Sequence, residues 1–146
     1  MKNRLALYTI ILLLAFVACK KKSEPLPTAM TFVLDKDSLW TTTNVTTDNQ
    51  NTGLVFIRGT SKDGTETLDI AISGFKADKG TFMVDYRGPG GNITGNTGMY
   101  KKGVNTIMAR TGKIVITSVT DQVINGTFDF FYLQTNFKGA FTAPAK

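Results

Sequence analysis

Few residues in this chain are equipped for covalent chemistry, and their spacing argues against most mechanisms. The 146 residues include no histidine and a single cysteine, Cys19. Without histidine there is no Ser-His-Asp or Cys-His nucleophile system, and the commonest zinc ligand is missing. A lone cysteine forms no internal disulfide. Glycoside hydrolysis needs two facing carboxylates. Eleven acidic residues are present, but none pair recognisably. Asp35 and Asp37 share a strand face or a turn, and a solvated turn is the expectation; calcium would need several further oxygen ligands. The stretch from Arg87 to Gly98 (RGPGGNITGNTG) holds glycines at 88, 90, 91, 95 and 98. It lacks the Gly-Lys-Ser/Thr and following helix of a phosphate cradle. A long loop of this composition is read as a mobile surface segment or a partner contact. No enzyme, metal site or cofactor is expected.

Cys19 has a different use. Lys2 and Arg4 precede an uncharged run from Leu5 to Ala18, and Lys20, Lys21 and Lys22 follow the cysteine. A membrane-spanning helix needs about 20 apolar residues. The run is shorter than that and fits the core of a secretory signal, about 7–15 residues. Phe16-Val17-Ala18-Cys19 resembles the bacterial lipobox, where the signal is cut just before a cysteine that carries diacylglycerol; Phe16 stands where Leu is usual. The resemblance implies cleavage between Ala18 and Cys19, lipidation of Cys19 and a membrane partner through that anchor. A plain cleaved signal and an uncleaved anchor are the alternatives. Two acyl chains give stable anchoring where one does not, and each nearby lysine adds about 1 kcal/mol on an anionic surface.

The expected organisation is a signal peptide helix over residues 1–18, a tether over 19–29 and one β domain over 30–146. The tether, KKKSEPLPT and its flanks, has two prolines, like charges and no periodicity. The whole chain has 17 basic and 11 acidic residues. Removing Lys2 and Arg4 leaves 15 against 11, a net +4; without Lys20, Lys21, Lys22 and Glu24 the domain has 12 against 10, a net +2. Only Lys101-Lys102 are adjacent within the domain, which is not a nucleic-acid footprint.

The residues of that domain must be positioned by strands. Glu66–Ser73 sets Leu68, Ile70 and Ile72 on one face. Phe82, Val84 and Tyr86 align, as do Phe128, Phe130 and Tyr132, and Phe137, Gly139 and Phe141. Such alternation means half-buried strands. Turn signals fall at Lys62-Asp63-Gly64, Asp78-Lys79-Gly80, Thr111-Gly112 and Asn125-Gly126, the last read as a type I′ hairpin turn. The expectation is all-β: one antiparallel meander of eight or nine strands, about 30–34, 39–46, 54–60, 65–73, 81–86, 99–109, 113–119, 122–133 and 136–142. The eighth is expected to bend near Asn125-Gly126 and split. The meander closes as a lipocalin-like barrel or folds as a two-sheet sandwich.

Two functional readings follow. A barrel with an open interior would bind a small apolar or glycan ligand, with Phe82, Val84, Phe128 and Phe130 lining it. A filled core would make a structural or interaction module that meets an envelope protein or glycan through its loops, and this reading is preferred because small closed sheets are normally filled by side chains. Trp40, Tyr86 and Tyr100 are the candidate ligand or partner contacts; Trp40 also reads as a core plug. Asp37-Ser38-Leu39 matches a short Asp-Ser/Thr-aliphatic O-glycosylation signal, which makes Ser38 a candidate acceptor.

The lipobox, the first hairpin with Trp40, Gly112-Lys-Ile-Val-Ile-Thr117, Ile124-Asn-Gly-Thr-Phe128 and Phe137-Lys-Gly-Ala-Phe141 together resemble a family of uncharacterised Bacteroidota lipoproteins with a lipocalin-like or sandwich domain. The resemblance spans most of residues 31–141 and implies a cell-envelope protein, most often of the outer membrane, of unknown biochemical role. It supplies no catalytic residues. Lys20-Lys21-Lys22 replaces the usual acidic export signal, so a periplasmic face and a surface face both stay open.

Overall fold

Alternating apolar side chains bury one side of each strand, and two such sides pack together. The computed structural model describes residues 27–35, 39–50, 53–86 and 95–145. Among the described residues there are eleven strands: β1 (Ala29–Leu34), β2 (Leu39–Thr42), β3 (Asn44–Gln50), β4 (Leu54–Thr60), β5 (Glu66–Ser73), β6 (Gly80–Asp85), β7 (Thr97–Lys102), β8 (Asn105–Met108), β9 (Thr111–Val119), β10 (Val123–Tyr132) and β11 (Thr135–Pro144). They form two antiparallel sheets, a six-stranded one in the order β2-β1-β11-β10-β9-β6 and a five-stranded one in the order β3-β4-β5-β7-β8. The sheets do not close into a barrel. The all-β sandwich holds and the barrel alternative falls. The proposed signal peptide and most of the tether lie outside the described residues.

The strand count exceeds the expected eight or nine because two long runs are broken by backbone geometry. Residues 39–46 change sheet at Thr43. The Thr42 hydroxyl stabilises that corner, accepting from the Asn44 N–H at 3.0 Å and donating to the Thr60 carbonyl at 2.5 Å. Residues 99–109 fold back as the β7–β8 hairpin, with Gly103 at a φ of 57°. Conversely, Asn125-Gly126 is no turn. Both residues lie inside β10, where the register against β9 shifts by a bulge. Gly126 is needed there because a Cβ would run into the Phe141 ring and the Val115 carbonyl. Thr111-Gly112 likewise begins β9 instead of turning. The Lys62-Asp63-Gly64 turn is present, with Gly64 at a φ of 74°; Asp78-Lys79-Gly80 leads straight into β6. The chain is also not one unbroken meander: β1 closes on β11, β6 on β9 and β5 on β7.

The interior between the sheets is filled. Leu68, Ile70 and Ile72 are fully buried from one side, and Phe32, Phe128, Phe130 and Phe137 from the other. Phe128 stacks on Phe130 at a centroid distance of 5.0 Å, and Phe130 meets Phe137 edge-on at 5.2 Å. Such ring pairs add about 0.5–1.5 kcal/mol beyond area burial. Gly98 of β7 lies directly beneath the Phe130 ring, where any side chain would collide with it.

Candidate functional site

Since the aromatic side chains expected to line a cavity instead pack on one another, the site has to be sought on the outside. A concavity with an apolar floor lies on the outer face of the five-stranded sheet. It has a volume of about 460 Å³ and is lined by Thr46, Asp48, Phe56, Arg58, Asp69, Ala71, Thr97, Met99 and Met108. A volume near 500 Å³ is typical of small ligand sites.

The lining follows from register. In one cross-strand row Asp48 of β3 faces Phe56 of β4, which faces Ala71 of β5, which faces Thr97 of β7. In the adjacent row, two residues along, Thr46, Arg58, Asp69, Met99 and Met108 face one another in turn, from β3 to β8. These two rows account for all nine lining residues. They alternate with the buried Val45, Val55, Ile57, Ile70 and Gly98, as a pleated strand requires. The five-stranded sheet therefore carries apolar side chains on both faces, with Phe56, Met99 and Met108 half-buried on the outer one.

The electrostatics are uneven along the groove. In its middle the Arg58 guanidinium grips Asp69 with two bonds, Nε to Oδ1 at 2.5 Å and Nη2 to Oδ2 at 3.0 Å. This bidentate bond raises the Arg58 pKa further above its ordinary value, with the nearby charge of Asp69 as the second cause. The Arg58 side chain is 58% exposed against 15% for Asp69, so the pair is a surface feature of modest energy. Asp48 stands at the β3 end and has no ion-pair partner among the described residues. Met99 and Met108 supply the opposite end with adaptable thioethers.

A second polar cluster lies across the sheet, on its inner margin. The Tyr100 hydroxyl donates to Glu66 Oε2 at 2.7 Å, and Lys102 Nζ lies 3.0 Å from Glu66 Oε1. The Tyr100 hydrogen bond is the main cause that holds the Glu66 carboxyl below its ordinary pKa. Burial, then Glu66, pushes the Tyr100 phenol above its own. Both shifts point away from neutrality, the reverse of what proton transfer near pH 7 requires. At the β4–β5 turn, Asp63 accepts from the Ser61 hydroxyl at 2.6 Å and the Thr65 N–H at 3.1 Å, and its carboxyl is lowered to about 2 mainly by the Ser61 bond. No group of three or more metal-ligating side chains occurs among the described residues.

Ala18, Cys19 and Ser38 lie outside the described residues, as do Asp37 and residues 87–94 of the glycine-rich loop. The structure separates the three aromatic candidates. Trp40 and Tyr100 bracket the buried Phe32, with centroids at 4.9 and 5.1 Å, and so belong to the core. Tyr86 sits half-buried after β6, its N–H bonded to the Arg110 carbonyl at 2.8 Å. Asp35 occupies a turn at a φ of 53°, and its Oδ1 accepts from the Asn136 N–H at 2.7 Å. Sequence reasoning missed the groove. Its one local signal is an apolar residue on the polar side of a strand, Phe56 between Val55 and Ile57, and Ala71 between Ile70 and Ile72.

The family described as "Domain of unknown function (DUF6252)" matches residues 29–143. No curated protein and no solved structure matches the chain.

Proposed function

The chain belongs to the DUF6252 family, a domain of unknown function, and from that premise we propose that it is an interaction module tethered by lipid to a bacterial cell envelope. The observation that carries the reading is the filled interior. Phe32, Phe128, Phe130 and Phe137 occupy the space a ligand would need, so recognition falls to outer faces and loops. The partner is an envelope protein or glycan. The anchor is Cys19, freed when the signal is cut after Ala18, in a lipoprotein of the Bacteroidota type, most readily at the outer membrane. Thr28, where the described chain begins to be held, donates to the Thr43 carbonyl at 3.0 Å at the start of β1. A tether over residues 20–28 reaches at most about 30 Å when extended, which keeps the sandwich near the bilayer.

The test is Cys19→Ala in a host that processes lipoproteins. The wild-type chain is expected in the membrane fraction, with a mass that includes the acyl chains and lacks residues 1–18. The variant is expected to leave that fraction and lose the added mass. A variant that stays membrane-bound with unchanged mass overturns the anchor.

A further inference from the structure

The groove on the five-stranded sheet is built for an occupant with a cation at one end and an apolar group at the other. We infer that it takes an extended segment of a partner protein in which a basic residue and a large apolar residue lie four positions apart. This rests on the reading of the chain as an interaction module and says which surface does the work.

Three observations carry it. The groove is polarised: the Asp48 carboxylate, with no ion-pair partner among the described residues, stands on β3, while Met99 and Met108 form the far end on β7 and β8. Within the lining, Asp48 and Asp69 face one cation, Arg58, a net charge of −1 in a chain of net +6. The spacing is that of an extended chain. From β3 to β7 there are three strand spacings, about 14 Å. Met99 lies one row from Asp48, about 7 Å along the strands, so the two ends stand about 16 Å apart, which positions i and i+4 cover with the added reach of a long basic side chain. Residues i and i+4 of an extended segment lie about 13 Å apart on the same side. Between the two ends, Asp69 engages Nε and Nη2 of Arg58, which leaves Nη1 to donate to a carbonyl of the segment. The Thr46 and Thr97 hydroxyls supply further polar contacts along the margins.

A second copy of this chain is the poorer occupant. A stable dimer buries about 800 Å² per partner, and two short rows of side chains offer far less.

The methionines make the test direct. The chain has five. Met99 and Met108 line the groove, Met83 is 65% exposed on the other sheet, and Met30 is fully buried. The full chain, methyl-labelled at methionine and held in zwitterionic phosphatidylcholine nanodiscs, is titrated with acetyl-Leu-Thr-Thr-Thr-Lys-Thr-Thr-Thr-Leu-amide, which offers the lysine–leucine spacing in both directions. The Met99 and Met108 methyls are expected to shift while Met83 and Met30 stay still. Replacing the peptide's lysine by glutamate, or Asp48→Asn in the protein, is expected to weaken binding about threefold, as an exposed ion pair allows. No shift at Met99 and Met108, equal shifts at Met83, or indifference to the peptide's charge overturns the inference. Hexylammonium binding as tightly as the peptide also overturns it, in favour of a free amine. Failure of the lipid anchor would appear in the fractionation of Cys19→Ala and would leave these shifts unchanged.

Discussion

Phe130 and Gly98 test whether the interior is filled as described, because each residue type is explained by the other. The Phe130 ring is fully buried and pinned between Phe128 and Phe137. Removing a buried aromatic ring costs about 4 kcal/mol in lost transfer energy and residual cavity. A Cβ on Gly98 would press into that ring, and overpacking of this sort costs about 2 kcal/mol. Glycine in a strand is otherwise worse than alanine by about 0.5–1 kcal/mol. Gly98→Ala alone should therefore destabilise by about 1–1.5 kcal/mol. On a Phe130→Ala background the collision is gone and the intrinsic preference remains, so the same change should stabilise by about 0.5–1 kcal/mol. The sign reverses, and the coupling is about 2 kcal/mol. The assay is urea unfolding followed by Trp40, the only tryptophan, which reports from its contact with Phe32 at 4.9 Å. Since a loss of about 4 kcal/mol approaches the total stability of many domains, Phe130→Leu serves as a milder background, with a cost of about 1–1.5 kcal/mol. If Gly98→Ala costs the same with and without the ring, to within about 0.5 kcal/mol, the two do not touch. The filled core, and the functional reading built on it, would then fail.

Two further predictions concern titration. Tyr100 is held neutral in the folded state, its pKa raised first by burial and then by Glu66. That contribution is complete below the unfolded phenol pKa of about 10 and is lost as pH rises above it towards the folded value. Wild type should therefore lose more stability than Tyr100→Phe between pH 9 and pH 11 in urea midpoints, and equal losses would contradict the assignment. Asp63 has the opposite sign: its carboxyl is lowered to about 2, so its contribution is present above the ordinary carboxylate range and vanishes as pH falls through about 2. Its carboxyl carbon shift should titrate near that value; a midpoint near 4 would mean that the Ser61 and Thr65 bonds do not persist in solution.

The fold class was legible because it is written in short-range patterns. Leu68, Ile70 and Ile72 recur at every second position, and all three are buried as that period requires. Phe128 and Phe130 behave in the same way. What misled was local turn chemistry without its surroundings. Asn125-Gly126 has the composition of a hairpin turn, yet the glycine serves the Phe141 ring on the neighbouring strand. Gly103 is just as capable of turning the chain, and there it does. Both glycines look alike in a linear reading, because the neighbour that decides between them is distant in sequence.

The groove was hidden for the same reason. Its nine residues come from five strands, and their positions span Thr46 to Met108. Each strand shows only one or two of them, and only the register places Asp48, Phe56 and Ala71 in one row and Arg58, Asp69 and Met99 in the next. The sequence by itself determined that the domain is all-β and which side of strands such as β5 and β10 turns inward. The tertiary structure alone decided sandwich over barrel, filled interior over cavity, and the assembly of the outer groove. Periodicity is a property of one strand and can be read along it. Pairing order and close approach are relations between strands, fixed when side chains such as Phe130 meet the glycine that admits them.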